Sequence, residues 1–163
     1  MIILGIDPGT ATTGYGVIRA EKINCRAKKN LKCLDYGLIK TSPLQPTGER
    51  LKKINNELDK LIKKYRPEIL AVESLYFFKN LKTALPVSQA KGVILLTAAK
   101  KRVPVQEFTP LQVKMIVAGH GRAEKVQVQE KIKLFLSLES APKSDDAADA
   151  LAIALAYVFV KRV

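Results

Sequence analysis

Residues 144–157 read SDDAADALAIALAY. Aspartates crowd the front of a run that is otherwise almost all Ala, Leu and Ile, and from Ala150 to Val160 there is no charge and a single hydroxyl, on Tyr157. A helix that is apolar on every side is a buried helix. The chain therefore sets carboxylates at the entrance to its own core. On a helix Asp146 and Asp149 stand at i and i+3 and project from one face. Two plain explanations exist: acids at a helix start are favoured by the helix dipole, and a lysine elsewhere could neutralise them. The dipole accounts for Asp145 and Asp146. It accounts poorly for Asp149, inside the apolar run, where burying an unpaired carboxylate costs several kcal/mol.

Upstream of that helix, strand and helix signals alternate. Ile2–Ile6 is a short apolar run stopped by the turn signal Asp7-Pro8-Gly9. Gly14–Ala20 and Leu31–Lys40 read as the next two strands, with a basic hairpin segment (residues 21–32) between them. From Arg50 the period changes. Leu51, Ile54, Leu58, Leu61, Ile62 and Tyr65 recur at three- and four-residue steps, an amphipathic helix that Arg66-Pro67 ends. Ile69–Val72 is a buried strand ending on Glu73. Ser88–Lys101 is a helix with a small-residue patch at Ala90, Gly92, Ala98 and Ala99, and Val103–Phe108 is a fifth strand. Thr109-Pro110-Leu111-Gln112 carries a capping box with proline at the first helical position. Helices are predicted at about 110–117, 124–138 and 146–161. With no repeat and no linker, residues 1–163 read as one α/β domain.

Asp7 and Glu73 each follow an apolar strand run directly. In open α/β sheets functional groups collect just beyond the carboxyl ends of the strands. If those two strands are parallel neighbours, the acids face each other. Asp7 also fits an ordinary Asp-Pro-Gly turn, and Glu73 a strand-end charge escaping to water. With Asp146 and Asp149, however, they would form an oxygen-rich pocket suited to Mg²⁺ or Mn²⁺ and to phosphoryl chemistry.

The charge balance points the same way. Lys and Arg number 28 against 15 Asp and Glu, a formal net charge of +13. Such an excess suits a polyanion, nucleic acid before a membrane surface, although some of the lysines must be the wet face of a helix. The final apolar run is shorter than the ~20 residues of a membrane span, and the opening MIILGIDPG lacks the basic n-region of a signal peptide. Cys25 and Cys33 match no metal spacing and are too few for a disulfide framework. A cytoplasmic chain with two reduced cysteines is the simple reading.

Four stretches carry a resemblance: GIDPGTATTGYGVI, AVESLYFFKNLKTALPVSQAKGV, TPLQVKMIVAGHGRAEKVQV and DDAADALAIALA. In this order and over this length the chain resembles the RuvC-type Holliday-junction resolvases, endodeoxyribonucleases of the RNase H-like superfamily. The resemblance implies an RNase H-like fold, a mixed five-stranded sheet with helices on both faces. It also implies a homodimer whose two sites each cut one strand of a four-way junction in recombination and repair. The family's acidic tetrad falls on Asp7, Glu73, Asp146 and Asp149, which leaves Asp145 as an extra acid at the helix cap. Two-metal hydrolysis is implied, with two Mg²⁺ or Mn²⁺ ions per site activating water and stabilising the leaving 3′ oxygen. Asp7 is expected to bridge the metals.

Lys114 and Lys125 match the family's basic positions and are expected on phosphates, against the plain reading of solvated helix lysines. Tyr76 matches a position where the family stacks an aromatic on unpaired bases, and Lys79 is assigned to DNA with it. Phe77 and Phe78 fit core or dimer contacts, and His120 is unassigned. Branch-migration partners, RuvA and RuvB in the bacterial family, are implied by the resemblance. Two rivals stand beside this reading. Asp7-Pro8-Gly9-Thr10 also resembles the phosphate loop of actin- and hexokinase-like ATPases, which need two such domains. A non-catalytic nucleic-acid scaffold would not require all four acids.

Overall fold

The first strand, β1 (Ile2–Asp7), is the middle of everything that follows. A computed structural model of the chain describes residues 1–21, 30–74 and 81–161. The remaining strands are β2 (Thr12–Ala20), β3 (Leu31–Lys40), β4 (Ile69–Glu73) and β5 (Val105–Phe108), in a single sheet ordered β3-β2-β1-β4-β5. β1 pairs antiparallel with β2 and parallel with β4; β2–β3 is antiparallel and β4–β5 parallel. The sheet is mixed and five-stranded, as expected. The basic hairpin falls on the β2–β3 connection, most of which (residues 22–29) lies outside the described residues.

Side chains alternate across a strand, and the two apolar sets of this sheet are covered separately. On one face, Leu4, Ile6, Leu70 and Val72 pack with Ile54, Leu58 and Ile62 of α1 (Thr47–Tyr65) and with Ala90, Ile94 and Ala98 of α2 (Leu81–Lys100). On the other, Ile3, Ile18, Ala71 and Phe108 pack under α5 (Asp145–Lys161). Val113 and Val117 of α3 (Pro110–Ala118) and Val128 and Ile132 of α4 (Lys125–Leu136) join the same core. Helices thus cover both faces. Because α5 touches the sheet below and α3 and α4 above, its middle, Ala150 to Ala156, is buried all round, which is what its composition requires.

The seat of α5 is cut by glycine. Gly5 on β1 and Gly16 on β2 are register partners, and Gly14 stands opposite Asp7. A Cβ on Gly5 would lie 2.1 Å from the Ala150 carbonyl oxygen, and one on Gly14 would lie 1.9 Å from that of Asp146. One on Gly16 would meet Leu151 Cδ2 at 2.7 Å. Glycines below and alanines above let the helix backbone approach the sheet backbone more closely than larger residues would permit. The first turns of α5 are thereby held against the end of β1.

Several boundaries differ from the sequence reading. The helix expected from Ser88 begins at Leu81 and carries Pro86 inside it, at the cost of the backbone bond that proline cannot donate. Its small residues divide between faces: Ala90 and Ala98 are buried, Gly92 and Ala99 exposed. α1 starts at Thr47 instead of Arg50, because residues 47–49 are polar and exposed and show no apolar period. The fifth strand starts at Val105, since Arg102 turns through a left-handed conformation (φ 56°) before it.

Candidate active site

Two parallel neighbours deliver the first pair of acids. Ile6 is in register with Val72, so Asp7 and Glu73 end adjacent strands. Since Ile6 and Val72 point toward α1 and α2, the alternation of a strand turns Asp7 and Glu73 to the α5 side. There the two side chains share a hydrogen bond. From above, α5 brings Asp146 and Asp149 on one face of its first turns.

Burial and crowding show in the acids' protonation. The Asp7 carboxyl is pushed up to about 8, first by burial and then by the charges of Glu73, Asp149 and Asp146. Burial also raises Glu73, with Asp149 adding to the rise, while the hydrogen bond from Asp7 and the charge of Lys91 pull against it. Asp149 is raised by burial as well, opposed by Lys125 and reinforced by Asp145 and Asp146. Its side chain nevertheless keeps 41% of its surface open. Asp149 lies at the wall of a cleft, not sealed in the core as its apolar neighbours in sequence suggest.

That cleft, of about 250 Å³, is lined by Glu73, Pro110, Val113, Lys114, Lys125, Val128, Asp149, Ala152 and Ile153. Both lysines singled out from the sequence therefore stand beside the acids. Lys114 comes from α3, whose start is fixed by the expected capping box: Gln112 N donates to Thr109 Oγ1 at 3.1 Å and Thr109 N to Gln112 Oε1 at 2.8 Å. Lys125 opens α4, its Nζ 3.1 Å from Asp145 Oδ2 and 3.4 Å from Asp149 Oδ2. His120 is exposed in the turn between these helices and does not line the cleft. Tyr76, Phe77, Phe78 and Lys79 lie outside the described residues.

Three contributors were not read from the sequence. Thr12 Oγ1 donates to Asp146 Oδ2 at 2.5 Å, tying the start of β2 to α5. Lys91, whose side chain is only 14% exposed, pairs with Glu107, and Glu107 also accepts from Ser74 Oγ at 3.3 Å, directly after Glu73. Lys91 is a lone charge in a helical stretch of small residues, a faint signal of a buried partner. The third is the stripe of glycines beneath α5, visible as alternation at Gly14 and Gly16.

Each acid in this arrangement already has a partner: Asp7 and Glu73 each other, Asp146 Thr12, Asp149 Lys125. Among the described residues no three side chains form a ready-made ligand set. The donor chemistry nonetheless fits a hard divalent cation, because every donor is a carboxylate oxygen. The repulsion that raises Asp7 is also what such a cation would relieve.

A mixed sheet in this strand order, with acids ending its two central parallel strands and others on the helix across them, defines an RNase H-like protein. Residues 3–157 match the family model described as crossover junction endodeoxyribonuclease RuvC. The chain is 52% identical to the RuvC protein of Alkaliphilus metalliredigens over 96% of its own length and 92% of that protein's. It is 46% identical to that of Fusobacterium nucleatum over 97% and 80%. The chain belongs to the RuvC family of crossover junction endodeoxyribonucleases. Its structure superposes on Thermus thermophilus RuvC with a TM-score of 0.91 at 37% identity, covering 99% of this chain and 96% of that one. The same protein in complex with a Holliday junction substrate gives 0.92, again at 37% identity, covering 99% and 95%.

Proposed function

We propose that this chain resolves four-way DNA junctions as a homodimer, each copy hydrolysing one phosphodiester at the cleft between β1, β4 and α5. The observation that carries the reading is the convergence of Asp7, Glu73, Asp146 and Asp149 from three distant segments beside a cleft that also holds Lys114 and Lys125. The four acids are the residues that would hold metal. When bound, two Mg²⁺ or Mn²⁺ ions would supply an activated water and stabilise the leaving 3′ oxygen. Asp7, on the central strand and facing the other three acids, would be one of the residues that hold them. Lys114 and Lys125 hold positive charge on the α3–α4 side, where a scissile phosphate gathers negative charge in the transition state.

The homodimer finds support on α2. Leu85, Gln89, Gly92 and Leu96 lie along one exposed stripe of that helix, with Leu85 68% and Leu96 53% exposed. Apolar side chains at helical spacing, flanking a glycine that meets nothing within 4 Å, suit close packing against a second copy. Tyr76 and Lys79 are assigned to the DNA, and branch-migration partners of the RuvA and RuvB kind to the chain's context, on the family's account. No helix among the described residues is long and apolar enough to cross a membrane; a cytoplasmic, single-domain enzyme is the setting we assign.

The test is Asp7→Asn. Surface lysines carry affinity and the acids carry the reaction, so the variant should lose cleavage of a synthetic four-way junction in Mg²⁺ or Mn²⁺ while binding the junction almost as well as the wild type. Full activity in the purified variant would end this reading.

A further inference from the structure

We propose that Asp145, an acid outside the metal-holding tetrad, is a positioning residue that tethers the Lys125 ammonium at the mouth of the cleft. The inference rests on the reading of Lys125 as a phosphate contact. Lys125 opens α4 and Asp145 opens α5, so the two helix starts face each other there. Lys125 Nζ is shared by two carboxylates, Asp145 Oδ2 at 3.1 Å and Asp149 Oδ2 at 3.4 Å. The second oxygen of Asp145, Oδ1, accepts from Gln129 Nε2 at 3.2 Å, one turn further along α4. A carboxylate gripped at both oxygens has its orientation fixed by α4.

The two partners of Lys125 are not equivalent. Asp149 faces Asp7 and Glu73, and a divalent cation there would claim its oxygens. Lys125 would then depend on Asp145. A lysine without a partner is a flexible four-carbon stem whose charge follows solvent; with Asp145 it stays over the cleft. The Asp145 side chain is 62% exposed, so its ion pair adds little to folding. Besides suiting the dipole at the start of α5, this exposed acid makes two directed contacts onto α4, one of them to the lysine.

The experiment compares wild type, Asp145→Asn, Asp145→Glu, Lys125→Met and the Asp145→Asn/Lys125→Met double variant. Asparagine keeps the acceptor for Gln129 and removes the charge. Asp145→Asn should lower kcat on a four-way junction roughly tenfold, with KM and melting temperature little changed, and Asp145→Glu should recover part of the loss. In the Lys125→Met background, Asp145→Asn should cost nothing further. In the metal-free protein the Lys125 ammonium signal in a ¹H–¹⁵N spectrum should exchange slowly with solvent, and Asp145→Asn should abolish it. An unchanged kcat in Asp145→Asn, a loss that multiplies with that of Lys125→Met, or an ammonium signal indifferent to Asp145 would each overturn the tether. A fully active Lys125→Met would instead remove the catalytic reading of Lys125, and the ammonium signal would still decide whether Asp145 holds it.

Discussion

An aspartate that titrates at about 8 grips its proton far more tightly in the folded chain than in the unfolded one. The sign of the consequence is fixed by linkage. Between the ordinary value of 3.8 and about 8 the folded form retains a proton that the unfolded form has released, so stability falls as pH rises through that window and is lowest above it. Glu73 and Asp149, also raised, act in the same direction. In EDTA the melting temperature should therefore decline steadily across this range, and Asp7→Asn should flatten the decline and melt several degrees higher at the alkaline end. Divalent metal at about 100 times its Kd should return about 2.7 kcal/mol to the wild type and much less to the variant. A wild type whose melting temperature rises through the same window would contradict the crowding of these acids. At this scale the sequence showed the acids that sit among apolar residues, because a carboxylate there needs a reason. It did not show what Thr12, Lys91 or Asp145 bonds to, since each partner is remote in sequence.

The pairing of α5 with β1 and β2 is decided by what is missing between them. Gly14→Ala would bring a methyl group to 1.9 Å from the Asp146 carbonyl oxygen; backbone cannot yield as a side chain can, so the helix start must lift. Such overpacking costs typically 1–3 kcal/mol. Cleavage should fall by more than the lowered melting temperature explains, because the displaced turn carries Asp146 and Asp149. A variant that loses stability but keeps its rate would separate the seat from the site. Elements with a clear period were legible almost to the residue: β3 over Leu31–Lys40, and α3 from its capping box. Where the period was interrupted, as by Pro86 in α2, or had no apolar residue to show it, as in the first turn of α1, the boundary was not.

Taken whole, the chain combines a net charge of +13 with one sheet faced by helices on both sides. The charge alone indicated a polyanionic partner. The apolar stripe on α2 could not be told from a core face in the sequence, since period marks an apolar side and does not say what covers it. Leu85→Lys with Leu96→Lys should convert the proposed dimer to a monomer in sedimentation, leave the fold intact, and replace paired junction cutting by single nicks at a reduced rate. If the doubly substituted chain still sediments as a dimer, another face joins the copies.

The glycine seat also imposes an order in time. The strand bearing Asp7 is synthesised before the helix bearing Asp146 and Asp149, and the other described elements lie between them. Until that helix settles, the groove above Gly5, Gly14 and Gly16 has nothing to fill it, and the face of the sheet it will cover stays open to water. A nascent chain thus carries Asp7 and Glu73 without Asp146 and Asp149. The four acids come together only in that docking event, after the other described elements have been made, and the uncovered face is where an unfinished chain is most exposed to chaperones and to aggregation.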